Sequence, residues 1–206
     1  DSNNAYTFIM DKYSMANTVP FLVYLSGSTK GNVITANVTN GNSITDLALA
    51  INTLLVGGSY IPSAILSNTS LITALGNLSD TTILYSATAN NLTLNNGISF
   101  NLSAPTVYHL NGLVTTNNAN VNFNGPVNLL DNMILTTQSS NSITFAKSLD
   151  GAFNILFNGT GTIIFSGIVG GSTALASLVS NSPVFINSGG ITTTGNQFYS
   201  APISLS

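Results

Sequence analysis

The chain has 206 residues, 44% apolar and 4% charged, with three Lys, six Asp, no Arg, no Glu and no Cys. Ordinary soluble domains are roughly 25% charged, so this surface must be wetted by its 29 Asn, 26 Ser and 25 Thr. The balance excludes a phosphate-neutralising nucleic-acid interface, long-range electrostatic steering and disulfide staples, and the longest apolar run, Val19 to Leu25, is far short of the roughly 20 residues of a spanning helix.

A chain that opens at Asp1 with no apolar leader is expected to be a processed secreted protein or an excised piece. Its first segment, Ala5, Tyr6, Thr7, Phe8, Ile9 and Met10, is apolar and β-prone. It reads either as an ordinary first strand or as a donor strand that completes a neighbour's sheet. Strands follow at Pro20–Leu25 and Asn32–Val38. Then Ile44, Leu47, Ala48, Ile51, Leu54 and Leu55 fall at helical spacing, with Ser43 or Thr45 as cap and Gly57-Gly58 as stop. A second helical candidate runs from Pro62 to Gly76, weakened by Ser67-Asn68-Thr69-Ser70 at its centre.

Beyond this point the pattern is all β. Runs rich in β-branched and aromatic residues stand at Thr81–Tyr85, Ile98–Leu102, Thr106–Leu110, Val127–Leu135, Ile143–Ala146, Phe153–Phe157 and Thr162–Phe165. Asn-Gly pairs at Asn40-Gly41, Asn96-Gly97, Asn111-Gly112, Asn124-Gly125 and Asn158-Gly159 predict tight antiparallel reversals, because both residue types tolerate positive φ. Phe123-Asn124-Gly125-Pro126-Val127-Asn128-Leu129 also matches Tyr199-Ser200-Ala201-Pro202-Ile203-Ser204-Leu205, 76 positions on.

Catalytic constellations are sparse. His109 is the only imidazole, so any Ser-His-Asp triad would have to use it, and it reads as a structural or surface residue. The six Asp are scattered, and without Cys or a second His a transition-metal site lacks ligands. Lys147 with Asp150 is the one candidate for a Lys–Asn isopeptide staple. The expectation is a protein that is not an enzyme and carries no metal and no cofactor. Candidate N-glycosylation sequons stand at Asn37, Asn68, Asn77, Asn91, Asn101 and Asn158, where composition alone would produce roughly seven.

Two resemblances arise from these residues. Phe123-Asn124-Gly125-Pro126-Val127, Asp150-Gly151-Ala152-Phe153-Asn154, Gly161-Thr162-Ile163-Ile164-Phe165-Ser166-Gly167, Val169-Gly170-Gly171 and Ile191 through Tyr199 resemble the strand repeats of bacterial haemagglutinin- and autotransporter-type adhesins. That implies a surface β protein. In composition and layout the chain is similar to subunits of archaeal glycosylated surface threads and pili, which implies a filament built by donor-strand assembly.

The reading is therefore an all-β fold of sandwich-like antiparallel sheets with a short helical insertion near 44–75, the alternative being a β-solenoid. Its expected organisation is an N-terminal arm or donor strand at 1–15, a β region with the helical insertion at 16–110, and a strand-repeat region at 111–206. The expected role is an extracellular, cell-surface subunit whose partners are copies of itself and N-linked glycans, with no nucleic acid and no membrane span. The alternative role is an adhesive β-repeat segment of a larger passenger protein. Edge strands without Lys or Glu gatekeepers favour the polymer over a free monomer.

Overall fold

Period-two alternation of buried and outward residues runs through most strands of the computed structural model, which describes residues 20–24, 30–35, 49–57, 65–75, 84–103, 106–138, 140–187 and 189–206. The N-terminal part holds β1 (Pro20–Tyr24), β2 (Lys30–Thr35), β3 (Thr53–Val56), β4 (Ile65–Ser67), α1 (Asn68–Leu75), β5 (Tyr85–Thr88) and β6 (Asn91–Leu94). Next come β7 (Ser99–Leu102), β8 (Val107–Leu110), β9 (Val114–Thr115), β10 (Val121–Phe123), β11 (Val127–Leu129) and β12 (Met133–Thr137). They are followed by β13 (Ser142–Phe145), β14 (Leu149–Asp150), β15 (Asn154–Gly159), β16 (Thr162–Phe165), β17 (Ser177–Ser180), β18 (Val184–Ile186), β19 (Gln197–Tyr199) and β20 (Ile203–Leu205).

The strands pair one turn to the next. The first sheet runs β1-β2-β3-β7-β10-β13-β16-β18-β20, the second β14-β11-β8-β4, and the third β19-β17-β15-β12-β9-β6-β5. From β7 onward the chain visits the first, second and third sheets in turn and then stacks on itself, in parallel register throughout. Beyond β14 the second sheet continues through the single parallel bridges Leu149↔Val169 and Val169↔Ile191. The result is a three-sided β-solenoid, and the rungs run across position 110 without interruption, β7 and β8 pairing with β10 and β11.

The all-β expectation holds, and the antiparallel sandwich is replaced by its alternative. Among the described residues only β1–β2 and β5–β6 are antiparallel pairs. The misreading has a physical source: both arrangements alternate inward and outward residues along each strand, and both turn corners on residues that accept tight backbone. Asn96-Gly97, Asn111-Gly112, Asn124-Gly125 and Asn158-Gly159 lie at or beside solenoid corners rather than in hairpins, while Asn40-Gly41 is outside the described residues. Gly159 has φ of 121°, and a Cβ there would run into the Thr137 carbonyl of the rung beneath. A Cβ at Gly125 would likewise strike the Thr106 carbonyl.

The helical insertion also differs in place. Residues 44–48 of the first candidate are outside the described residues, Ile51 and Asn52 form a turn, and Thr53–Val56 is strand. Leu54 and Val56 are buried while Ile51 is 67% exposed, so a period of two overrides the apparent helical stripe. The helix α1 lies inside the second candidate. The Ser67–Ser70 stretch that counts against a helix centre is its start: the Ser70 N–H donates to Ser67 Oγ and the Ser67 N–H to Ser70 Oγ, both at 3.2 Å. That is a reciprocal cap with Ser in place of the usual Glu or Gln.

Inward side chains form columns along the axis. One is Leu102, Phe123, Phe145, Phe165 and Ile186, in register through β7, β10, β13, β16 and β18. Phe123 and Phe145 stack at 4.9 Å, and Phe145 and Phe165 at 5.5 Å. Those distances follow from a strand spacing of about 4.8 Å. At the N-terminal end, α1 packs against β1, β4 and β6, and the antiparallel strands β1 and β5 terminate the first and third sheets. At the other end, Ile203 is 43% and Leu205 78% exposed, although both occupy columns buried in earlier rungs. The match between 123–129 and 199–205 is a corner motif, not a rung repeat. Phe123 precedes a first-to-second-sheet corner and Tyr199 a third-to-first-sheet corner.

Candidate functional site

The outer face of the third sheet presents three side-chain columns. In the middle, Ile134, Leu156, Val179 and Phe198 are in register on β12, β15, β17 and β19. Ile134 is 52% and Phe198 58% exposed. The pairing of β6, β9 and β12 extends this column to Leu113, giving an apolar stripe of about 19 Å at about 4.8 Å per strand.

Polar ladders border the stripe on both sides. On one, the Asn154 N–H and side-chain amide both donate to Asn132 Oδ1 at 2.9 Å, and the Ser177 hydroxyl donates to Asn154 Oδ1 at 2.7 Å. On the other, Thr93, Thr115, Thr136 and Asn158 align across four strands. Asn181 Nδ2 donates to Asn158 Oδ1 at 3.4 Å and the Ser200 hydroxyl to Asn181 Oδ1 at 2.8 Å, continuing that ladder. The amides thus bond to the next rung on their oxygen side, as in other Asn ladders.

A surface depression of about 360 Å³ opens at the start of the stripe, where the second and third sheets meet. Leu113 and Ile134 contribute apolar lining and Asn91, Asn111, Asp131 and Asn132 polar lining. Asn111 is occupied in holding α1: its Oδ1 accepts from the Asn68 N–H at 3.1 Å and its Nδ2 donates to Thr69 Oγ1 at 2.8 Å. Asn91 Oδ1 accepts from the Leu113 N–H at 2.9 Å. That bond and the Asn132–Asn154 bonds engage the amide oxygens of Asn91 and Asn132, so what each amide can offer a ligand is its Nδ2 donor. The Asp131 carboxylate accepts from the Asn132 N–H at 2.7 Å.

The sequence-derived candidates do not converge. Ala5 to Met10, Asn37 and Asn77 lie outside the described residues. Asn68 is fully buried: the Tyr108 hydroxyl donates to its Oδ1 at 2.7 Å, and its Nδ2 donates to the carbonyls of Asn90 at 2.7 Å and Leu113 at 3.2 Å. The nitrogen that would carry a glycan is spent inside the fold. Asn91 and Asn158 are exposed on the third sheet, and Asn101 is half-buried on the first, bonded to Asn124. His109 stands half-buried on β8, opposite Ser67 and Asn128. The buried Asp150 carboxylate is taken by the N–H groups of Ser172 and Thr173, while Lys147 is exposed at a corner. Among the described residues no three His, Asp, Glu or Cys gather as metal ligands, and no helix is long and apolar enough to cross a membrane.

The stripe and its depression were missed because no outward residue is unusual alone. A signal existed in the spacing. Asn96 and Asn118, Asn132 and Asn154, and Asp150 and Ser172 are 22 residues apart and bonded, and Asn101–Asn124 and Asn158–Asn181 are 23 apart and bonded. No protein family, curated protein or solved structure matches the chain.

Proposed function

We propose that the chain is an adhesive β-solenoid segment of an extracellular surface protein. One observation carries the reading: the solenoid's third side is a flat face of Asn, Ser and Thr ladders bonded rung to rung, with an apolar stripe held between them. Such a face needs no charge to stay hydrated, so its contacts persist through changes of salt and pH that weaken ionic interfaces. Stacked rungs make a stiff rod, suited to holding a contact face away from a cell. Exposed Asn91 and Asn158 are glycan acceptors on that same side in a glycosylating host. Brief protease treatment of intact source cells should release peptides of this chain, and the purified chain should block cell attachment. Protection of the chain until the cells are lysed would overturn the reading.

A second reading keeps the homopolymer built by strand donation. It rests on β20, whose inward Ile203 and Leu205 are exposed and match the alternation of Tyr6, Phe8 and Met10 in the candidate donor segment. Filaments seen by electron microscopy that vanish when residues 1–12 are removed would support it. A monomer unaffected by that truncation would exclude it.

A further inference from the structure

We propose that the outer face of the third sheet binds a neutral, extended glycan laid along the solenoid axis, seated at the depression around Asn91, Asp131 and Asn132. The inference rests on the adhesive reading and names its ligand class. The face is one apolar residue wide, from Leu113 through Ile134, Leu156 and Val179 to Phe198, with amides and hydroxyls on both flanks. A pyranose offers the complementary surface, with C–H groups on the ring face and hydroxyls around the rim. The ring faces would lie on the stripe. The amides of Asn91 and Asn132 would donate to hydroxyl oxygens, and the Asp131 carboxylate would accept from hydroxyl protons. The depression of about 360 Å³ is open to solvent, so an extended chain can enter it and continue along the stripe.

Other partners fit less well. The three columns carry no charged side chain, and Asp131 at the rim is acidic, so a polyanion such as nucleic acid or a sulfated or uronate polymer finds no cation to pair with. An extended peptide binds a sheet edge through main-chain bonds, and on this face those bonds are already made between rungs. Two copies packed face to face need a broad apolar patch, whereas this one is a single column bordered by polar groups.

The test uses the whole 206-residue chain on immobilised neutral hexose polymers, with uronate and sulfated polymers alongside. Ile134→Asp places a charge on the stripe where it enters the depression, and Asp131→Ala removes the acceptor. Phe185→Asp is the control, since Phe185 is 44% exposed on the outer face of the first sheet. Circular dichroism verifies that each variant folds. The expected result is binding to one or more neutral polymers, unchanged in Phe185→Asp and about tenfold weaker or worse in the other two. Binding confined to acidic polymers, equal binding by Ile134→Asp, or a wild-type dimer that Ile134→Asp dissociates would overturn the inference. If the wild type binds no glycan yet blocks cell attachment, the ligand class is wrong and the adhesive reading stands. If it does neither, both fail.

Discussion

Phe145 shows how much of this fold rests on single side chains. It stacks on Phe123 and Phe165 and meets Phe157 edge-on at 6.0 Å, fully buried. Truncating it opens a cavity that touches three rungs, so Phe145→Ala should cost about 3–5 kcal/mol. Urea midpoints at constant m-value give the comparison, with Phe185→Ala as an exposed reference expected within about 0.5 kcal/mol of wild type. Thr106 is the opposite case. Its side-chain hydroxyl is buried and has no hydrogen-bond partner among the described residues, so its burial carries a desolvation cost. Thr106→Val keeps the shape and removes the hydroxyl. It should leave stability unchanged or raise it by about 1 kcal/mol, and a loss of 1 kcal/mol or more would mean the hydroxyl is bonded after all.

At the scale of elements, one buried amide ties α1 to three parts of the solenoid. Asn68 takes the Tyr108 hydroxyl from β8 and donates to carbonyls in the β5–β6 turn and just ahead of β9. Asn68→Leu would leave the buried Tyr108 hydroxyl without its acceptor and the Asn90 carbonyl without the amide, while the Leu113 carbonyl keeps the Leu92 N–H at 2.8 Å. The buried hydroxyl alone should cost about 1–3 kcal/mol, whereas Ser67→Ala, which removes the cap, should cost about 1 kcal/mol. If Asn68→Leu proves no worse than Ser67→Ala under urea, the Asn68 side chain is not what anchors α1. The same elements mark what could be read from sequence. Thr162–Phe165 and Ile98–Leu102 were legible because alternation and turn residues are local properties. Thr53–Val56 was not, since Leu54 and Leu55 fit a helical stripe until β2 and β7 supply partners on either side. Parallel stacking was hidden for a related reason. An Asn-Gly corner looks the same in sequence whether the next strand returns antiparallel or turns onto a new side. The candidate site depended on register: Ile134 lies beside Leu156 only because one turn of chain spans 22 residues there, and the local pattern says nothing of that length.

Across the whole molecule, scarcity of charge makes the two pH limits unequal. Acid has little to act on, because six Asp and three Lys leave few ion pairs to break. Alkali meets two tyrosines whose hydroxyls donate inside the fold, Tyr85 to the Leu71 carbonyl and Tyr108 to Asn68, both at 2.7 Å. Burial raises the pKa of each above the ordinary tyrosine value near 10, and for Tyr108 the neighbouring Tyr85 adds to the rise. Above that value the unfolded chain releases these protons while the folded chain keeps them. Protons then favour the folded state, and stability falls as pH rises, by up to about 1.4 kcal/mol per pH unit for each group. Below pH 10 both states hold the protons and the full contribution is present. Thermal midpoints should therefore stay nearly level from about pH 4 to 9 and fall steeply beyond about pH 10. Tyr108→Phe separates the two roles of that hydroxyl. It should lower stability at neutral pH, because Asn68 Oδ1 loses its donor, and it should flatten the alkaline fall. A variant that loses stability at neutral pH but keeps the wild-type alkaline slope would remove Tyr108 as a source of that limit.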